Sequence, residues 1–138
     1  MSYSTKQQQA ILQGLEHHGE TPVSASELAD ELRQDGGQGS LATVYRQLEK
    51  LAETGQIHRV AADNATLYRP CPAQKAQRCL LLRCSACGRT EHLEYPQIQS
   101  FYQQLEEEHG FRTDPCQTVL TGLCARCAGQ EAAGHGSV

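Results

Sequence analysis

The 138-residue chain contains no tryptophan, only five tyrosines and two phenylalanines. That scarcity argues against an aromatic cage for a large planar ligand. No apolar run approaches the roughly 18 residues of a membrane span. The opening MSYSTKQQQA has neither the basic nor the apolar stretch of a secretory signal. A soluble, cytoplasmic protein is therefore expected. A basic surplus is also missing: 12 basic residues against 16 acidic ones give a net charge of −4. This argues against a non-specific polyanion binder, but not against a sequence-specific one that gathers its cations on one face. Apolar residues make up 38% of the chain and the mean hydropathy is −0.55. Its length suits one domain, or two small halves of about 60–80 residues. Halves of that size are marginal alone, so a covalent or metal staple, or a partner chain, is expected.

Cysteine, by contrast, is abundant, with seven residues. In a reducing compartment, closely spaced thiols bind metal more often than they form disulfides. The odd total also rules out complete internal pairing.

Apolar spacing predicts a helix over 5–18, with Ile11, Leu12 and Leu15 on one face. Thr21-Pro22-Val23 reads as extended. Ser24 then caps a second helix over 24–34, with Glu27 at capping-box spacing and Leu28 and Leu32 turned inward. Gly36-Gly37-Gln38-Gly39 breaks it. Ser40 caps a third helix from Leu41 to Glu53, whose stripe is Leu41, Val44, Leu48 and Leu51, and Gly55 ends it. Two strands follow, Gln56–Val60 and Ala65–Arg69, joined by a turn at 61–64. Three helices and a two-stranded ribbon form a winged-helix order, although the pattern alone also fits a small mixed module.

After a hinge-like Pro70–Arg78, strands are predicted over Cys79–Arg83 and Arg89–Tyr95. A helix runs from Pro96 to His109, with Ile98, Phe101 and Leu105 inward and Gly110 just past its end. Gln117–Leu123 reads as a further strand, and Ala128–Val138 as a polar, disordered tail. The element order gives an α+β fold class, with a first unit over 1–70, a hinge over 71–80, a small α/β unit over 81–128 and a tail over 129–138.

The strongest chemical signal is Cys84-x-x-Cys87 followed by Cys124-x-x-Cys127. Each tight loop can aim two sulfurs at one ion, and two loops complete a tetrahedron of thiolates. Four thiolates with no open position favour zinc held for structure. A redox dithiol would need only one pair and a different setting. Cys71, Cys79, His58 and His92 all fall at the junction of the two halves. They could form a mixed thiolate and imidazole metal site, or be two buried thiols and two solvated imidazoles; the residues alone leave both open. His17, His18, His109 and His135 read as helix-surface or tail residues. The third helix presents Thr43, Tyr45, Arg46, Gln47 and Lys50 opposite its stripe. Arg and Gln can read base edges in the major groove, while Thr, Lys and Tyr can hold phosphates. Arg59 in the ribbon and Lys6 near the start could add backbone contacts. An ordinary solvated helix face is the alternative.

Together these residues resemble a known pattern. Ala42-Thr43-Val44-Tyr45-Arg46-x-Leu48-x-x-Leu51-x-x-x-Gly55 is similar to the recognition-helix signature of the ferric uptake regulator family. Cys84-x-x-Cys87-Gly88 and Gly122-x-Cys124-x-x-Cys127 resemble that family's zinc knuckles, in the same order. The resemblance spans about residues 5–127. It implies that the first unit, 1–70, is a winged-helix DNA-binding domain and the second, 81–128, a dimerisation domain. It also implies a homodimeric, metal-dependent transcriptional regulator rather than an enzyme, bound to a near-palindromic double-stranded DNA operator, with no membrane and no small organic substrate.

Iron and peroxide sensors of the family carry a His-rich stretch before the first knuckle. Here that stretch is Ala76-Gln77-Arg78-Cys79-Leu80-Leu81-Leu82, with no histidine. The zinc-responsive subgroup places a linker cysteine and a wing-strand ligand where Cys71 and His58 stand. Cys79 falls on a family histidine position, and His92 is taken as the fourth ligand. The resemblance thus implies two zinc ions per chain: a structural one on Cys84, Cys87, Cys124 and Cys127, and a regulatory one on His58, Cys71, Cys79 and His92. Repression of zinc-homeostasis genes is the default output, with activation equally compatible. The alternatives are an iron- or peroxide-responsive regulator of the same family, or a zinc or thiol enzyme drawing on Glu91 or Glu94. A second regulatory site common in the family would fall on Cys116, Arg78, Leu80 and Gln99. These are unsuited to it, so Cys116 is expected to be a free or auxiliary thiol.

Overall fold

The computed structural model describes residues 3–36, 39–62, 64–72 and 79–129. The expected breaker at Gly37-Gln38, the turn residue Asp63, the linker over 73–78 and the tail from 130 onward lie outside them. Helices run over Tyr3–His18 (α1), Ala25–Gln34 (α2), Leu41–Glu53 (α3) and Pro96–His109 (α4), and a further short helical stretch covers 125–129. Six strands run over Val23–Ser24 (β1), Ile57–Ala62 (β2), Ala65–Pro70 (β3), Cys79–Cys84 (β4), Thr90–Glu94 (β5) and Val119–Gly122 (β6).

Local chemistry sets the helix ends. The Ser24 side chain accepts from the Glu27 backbone N–H, and the Glu27 carboxylate accepts from the Ser24 N–H, so the capping box is complete. Ser40 Oγ accepts from the Thr43 N–H at the start of α3. Pro96 opens α4, and Gly110 closes it at φ 62°, a left-handed conformation that favours glycine. Ile11 and Leu15 of α1, Leu28 of α2, and Val44, Leu48 and Leu51 of α3 meet in one core closed by Ile57 and Tyr68 of the ribbon. β1 pairs antiparallel with β3, which pairs antiparallel with β2. This is a winged helix whose ribbon gains a short third strand. β1 was legible in sequence only as an extended segment.

The second sheet has the order β5-β4-β6. β4 and β5 are antiparallel, whereas β4 and β6 are parallel, with Cys84 opposite Gly122. α4 packs on this sheet through buried Tyr102, whose hydroxyl donates to the Cys79 carbonyl at 2.8 Å. A 3₁₀ turn over Pro115–Gln117, capped by Asp114, brings buried Cys116 against the ribbon strand β2.

Two inward assignments and one tail assignment are corrected. Leu41 is 47% exposed, because it occupies the first turn of α3, beyond the edge of the core. Phe101 is 56% exposed. Its neighbour Tyr102, one turn beyond Ile98, faces the sheet instead, because its hydroxyl finds a carbonyl there. Residues 125–129 are helical, so positions 128 and 129 are not part of a disordered tail. No helix among the described residues is long and apolar enough to cross a membrane.

Candidate functional site

Two clusters of potential metal ligands occur among the described residues. In each, one ligand atom per residue lies within 4.8 Å of all the others. The first comprises Cys84, Cys87, Cys124 and Cys127. Cys84 ends β4, and its N–H donates to the Arg89 carbonyl while its carbonyl accepts from the Gly88 N–H, closing a tight knuckle. Gly88 sits at φ 80°, where a side chain would be strained. The parallel pairing of Cys84 with Gly122 delivers the second loop two residues later, and Cys87 Sγ lies 4.0 Å from Cys124 Sγ. Backbone N–H groups of Cys124 and Cys87 push the Cys84 thiol down to about 5. Bonds to Cys124 and Cys84 push the Cys127 thiol up to about 12. Shared protons among four sulfurs are what a thiolate cage presents before it loses them to a cation.

The second cluster comprises His58, Cys71, Cys79 and His92. His58 comes from β2 and Cys71 follows β3, whereas Cys79 opens β4 and His92 lies in β5. The donors therefore come in pairs from the two halves. Cys71 Sγ lies 3.6 Å from His92 Nε2, and Cys79 Sγ lies 4.0 Å from His58 Nε2. The two imidazoles meet edge to face, with centroids 5.2 Å apart. His58, Cys71 and Cys79 are buried. His58 Nδ1 is buried with no hydrogen-bond partner among the described atoms. A hydrogen bond from the Cys79 thiol, opposed by burial and reinforced by His58 and His92, holds the Cys71 thiol far below its ordinary value. The same bond, together with burial, pushes Cys79 far above it. Ligands around tetrahedral zinc stand about 3.3–3.8 Å apart, so the observed spacings need only slight contraction. Two thiols and two imidazoles suit zinc better than magnesium or calcium.

Cys116 stays outside both clusters, and burial pushes its thiol up to about 11. Of the residues expected around a further site, Leu80 is buried, Gln99 is half-buried, and Arg78 lies outside the described residues.

The expected nucleic-acid face divides. Tyr45, Arg46 and Lys50 are exposed on α3, and Thr43 is half-buried at its first turn. Gln47 is a correction: it is 6% exposed and its Oε1 accepts from Gln8 Nε2 at 2.8 Å. It stands three residues after Val44 and four before Leu51, so it belongs to the inner stripe, and the Gln8 amide makes that burial tolerable. Arg59 is also placed differently from the expectation. Its Nη2 and Nε bind the Glu49 carboxylate at 2.9 and 3.2 Å, and the Tyr68 hydroxyl donates to the same carboxylate at 2.7 Å. Glu49 and Tyr68 thus anchor the ribbon to α3, a role the sequence reading missed. The opposite charges of Glu49 and Arg59 on either side of one turn were the available signal.

The model of the ferric uptake regulator family matches residues 3–121. The chain belongs to this family. Among its relatives, the zinc uptake regulation protein of Mycobacterium tuberculosis (strain CDC 1551 / Oshkosh) is 32% identical over 126 residues, covering 90% of this chain and 93% of the relative. The zinc uptake regulation protein of Escherichia coli (strain K12) is 29% identical over 113 residues, covering 82% and 66% respectively. A solved zinc uptake regulator complexed with zinc and DNA aligns with a TM-score of 0.70 at 28% identity, covering 91% of this chain and 83% of that one. The arrangement of a winged helix followed by an α/β unit is the one this family shares, and the two clusters supply it with groups that can bind metal.

Proposed function

We propose that this member of the ferric uptake regulator family is a zinc-responsive, DNA-binding transcriptional regulator of zinc-homeostasis genes, acting by default as a repressor when zinc is plentiful. The observation that carries this reading is the second cluster. Two donors from the winged helix and two from the following sheet converge on one point, in a chain whose relatives include zinc uptake regulators. Cys84, Cys87, Cys124 and Cys127 hold a structural zinc in this reading, and His58, Cys71, Cys79 and His92 a regulatory one, giving two per chain. When bound, zinc supplies a cationic centre that the four donors can share only if the halves stay in contact.

The chain's own residues do the rest. In this reading the winged helix, residues 1–70, changes its posture against the dimerisation domain, residues 81–128. In the closed posture His58 and Cys71 face Cys79 and His92, and α3 is held at a fixed angle. Tyr45, Arg46 and Lys50 then meet DNA, Arg46 at a base edge and Lys50 at a phosphate, with Thr43 at the helix start. Tyr95, Phe101, Phe111, Leu120 and Leu123 are large apolar side chains left outside on the second half. They support a homodimer, in which two recognition helices about 34 Å apart fit a near-palindromic operator. A coupling of about 1–3 kcal/mol between metal and DNA raises affinity roughly 5- to 150-fold.

Fluorescence anisotropy tests this, using duplex DNA selected on zinc-loaded wild type and titrated at buffered free zinc. Cys71→Ser and Cys79→Ala are expected to keep one zinc per chain and lose the zinc dependence of binding. Unchanged zinc-dependent binding in both variants would refute the assigned site.

A further inference from the structure

A second link joins the two halves beside the regulatory cluster. Arg69 of β3 is 4% exposed and Thr90 of β5 is 0% exposed. Arg69 Nη1 donates to Thr90 Oγ1 at 3.0 Å, and its Nε donates to the Pro70 carbonyl at 3.2 Å. The Thr90 hydroxyl in turn donates to the Glu20 carbonyl, in the loop before β1. No carboxylate among the described residues forms an ion pair with Arg69. A guanidinium is always charged; the Glu20 carboxylate and the Cys71 sulfur act on it only through space, while its hydrogen bonds go to neutral oxygens, so its burial is costly and needs an explanation.

The strand registers supply one. Arg69 stands directly opposite His58 in the β2–β3 ladder, so both share one face of the ribbon. Thr90 and His92 are two residues apart in β5 and share one face of the second sheet, and Cys79 of β4 lies on that face by the same alternation. The two faces meet. The hydrogen-bonded link and the donor cluster are therefore neighbours, held by the same strands and bridging the same seam.

We infer that Arg69 and Thr90 are positioning residues: the chain of bonds from Arg69 through Thr90 to the Glu20 carbonyl holds the ribbon against the second sheet in the posture where His58, Cys71, Cys79 and His92 converge. This rests on the zinc-sensing reading of those four donors. Neither residue supplies a ligand. They raise the fraction of metal-free chains already closed, and apparent zinc affinity follows that fraction.

The test uses the full-length chain and zinc itself, in competition with a chelating dye. Thr90→Val keeps shape and strand preference but removes the hydroxyl. It is expected to retain the knuckle zinc and bind the second zinc about 10-fold more weakly. Thr90→Ser restores the hydroxyl and is expected to lie within about two-fold of wild type. Arg69→Met is expected to match Thr90→Val, and the double variant to be no weaker than either, since both break one link. The cobalt-substituted spectrum of the second site at saturation stays unchanged in all of them, because the donors are intact. Wild-type affinity in Thr90→Val, a weak Thr90→Ser, or additive losses in the double variant would overturn the inference. If Thr90→Val fails to hold the knuckle zinc, Arg69→Met decides alone, and unchanged affinity there overturns it. Cys71→Ser separates the two claims: if it retains the second zinc, the sensing assignment falls. If it loses that zinc while Thr90→Val binds normally, only the positioning role falls.

Discussion

Replacing Glu49 by glutamine should loosen the ribbon from the recognition helix. The carboxylate accepts from Tyr68 at 2.7 Å and from Arg59 at 2.9 and 3.2 Å, and Gln keeps its size while removing its charge. A hydrogen bond to a charged group contributes about 1.5–3 kcal/mol when dry, and an exposed ion pair about 0–1 kcal/mol. This site is half-buried, so a loss of about 2 kcal/mol is expected. For a chain of this size that lowers Tm by about 4–8 °C. The effect has a pH signature. Burial pushes the Glu49 carboxyl up, but the bonds from Tyr68 and Arg59 and the Arg59 charge outweigh it, so the folded value lies below the ordinary one. A group depressed in the folded state stabilises above its unfolded pKa, about 4.3, and loses that contribution as pH falls through the folded value. The Tm gap between wild type and Glu49→Gln should therefore be widest near neutrality and close in acid. Scanning calorimetry of both proteins at matched pH reads this directly. A neutral-pH gap under about 1 °C would refute the anchoring role.

Arg46→Ala should weaken operator binding by about 1–3 kcal/mol and relax preference at one base position, with melting unchanged; a uniform loss across sequences would mean a phosphate contact instead. Tyr102→Phe removes a buried hydrogen bond to the Cys79 carbonyl while keeping the ring, and should cost about 1 kcal/mol in denaturant unfolding. Chelating all metal should unfold the second half before the winged helix, because in the proposed reading a zinc on Cys84, Cys87, Cys124 and Cys127 cross-links residues 37 or more positions apart with little core around them; loss of both halves together in circular dichroism would contradict this.

Much of this was legible because short-range chemistry left little choice. Ser24 with Glu27 and Ser40 with Thr43 mark helix starts through bonds made within three residues, and Pro96 and Gly110 mark the ends of α4 by backbone conformation. The four-cysteine cluster was legible by its paired spacing, whereas His58, Cys71, Cys79 and His92 were gathered only with the help of the family resemblance. What failed needed a view of both sides of an interface. Gln47 lies on the stripe by spacing, yet a polar side chain reads as outward until Gln8 is seen to satisfy it. Phe101 and Tyr102 are both aromatic, and only the Cys79 carbonyl decides which turns in. Arg69 reads as a surface cation of a ribbon, because nothing local announces that Thr90 will cover it. The parallel pairing of β4 with β6, which brings the two knuckles together, is a long-range choice with no signature in either strand.

Zinc sensing in the proposed sense requires the seam between the halves to convert zinc into domain posture. Metal content per chain, measured alongside operator anisotropy as free zinc is raised, tests this most directly. One tightly held zinc is expected at low free metal, and a second that fills together with the rise in DNA affinity. Full operator affinity with only the first zinc bound would contradict it.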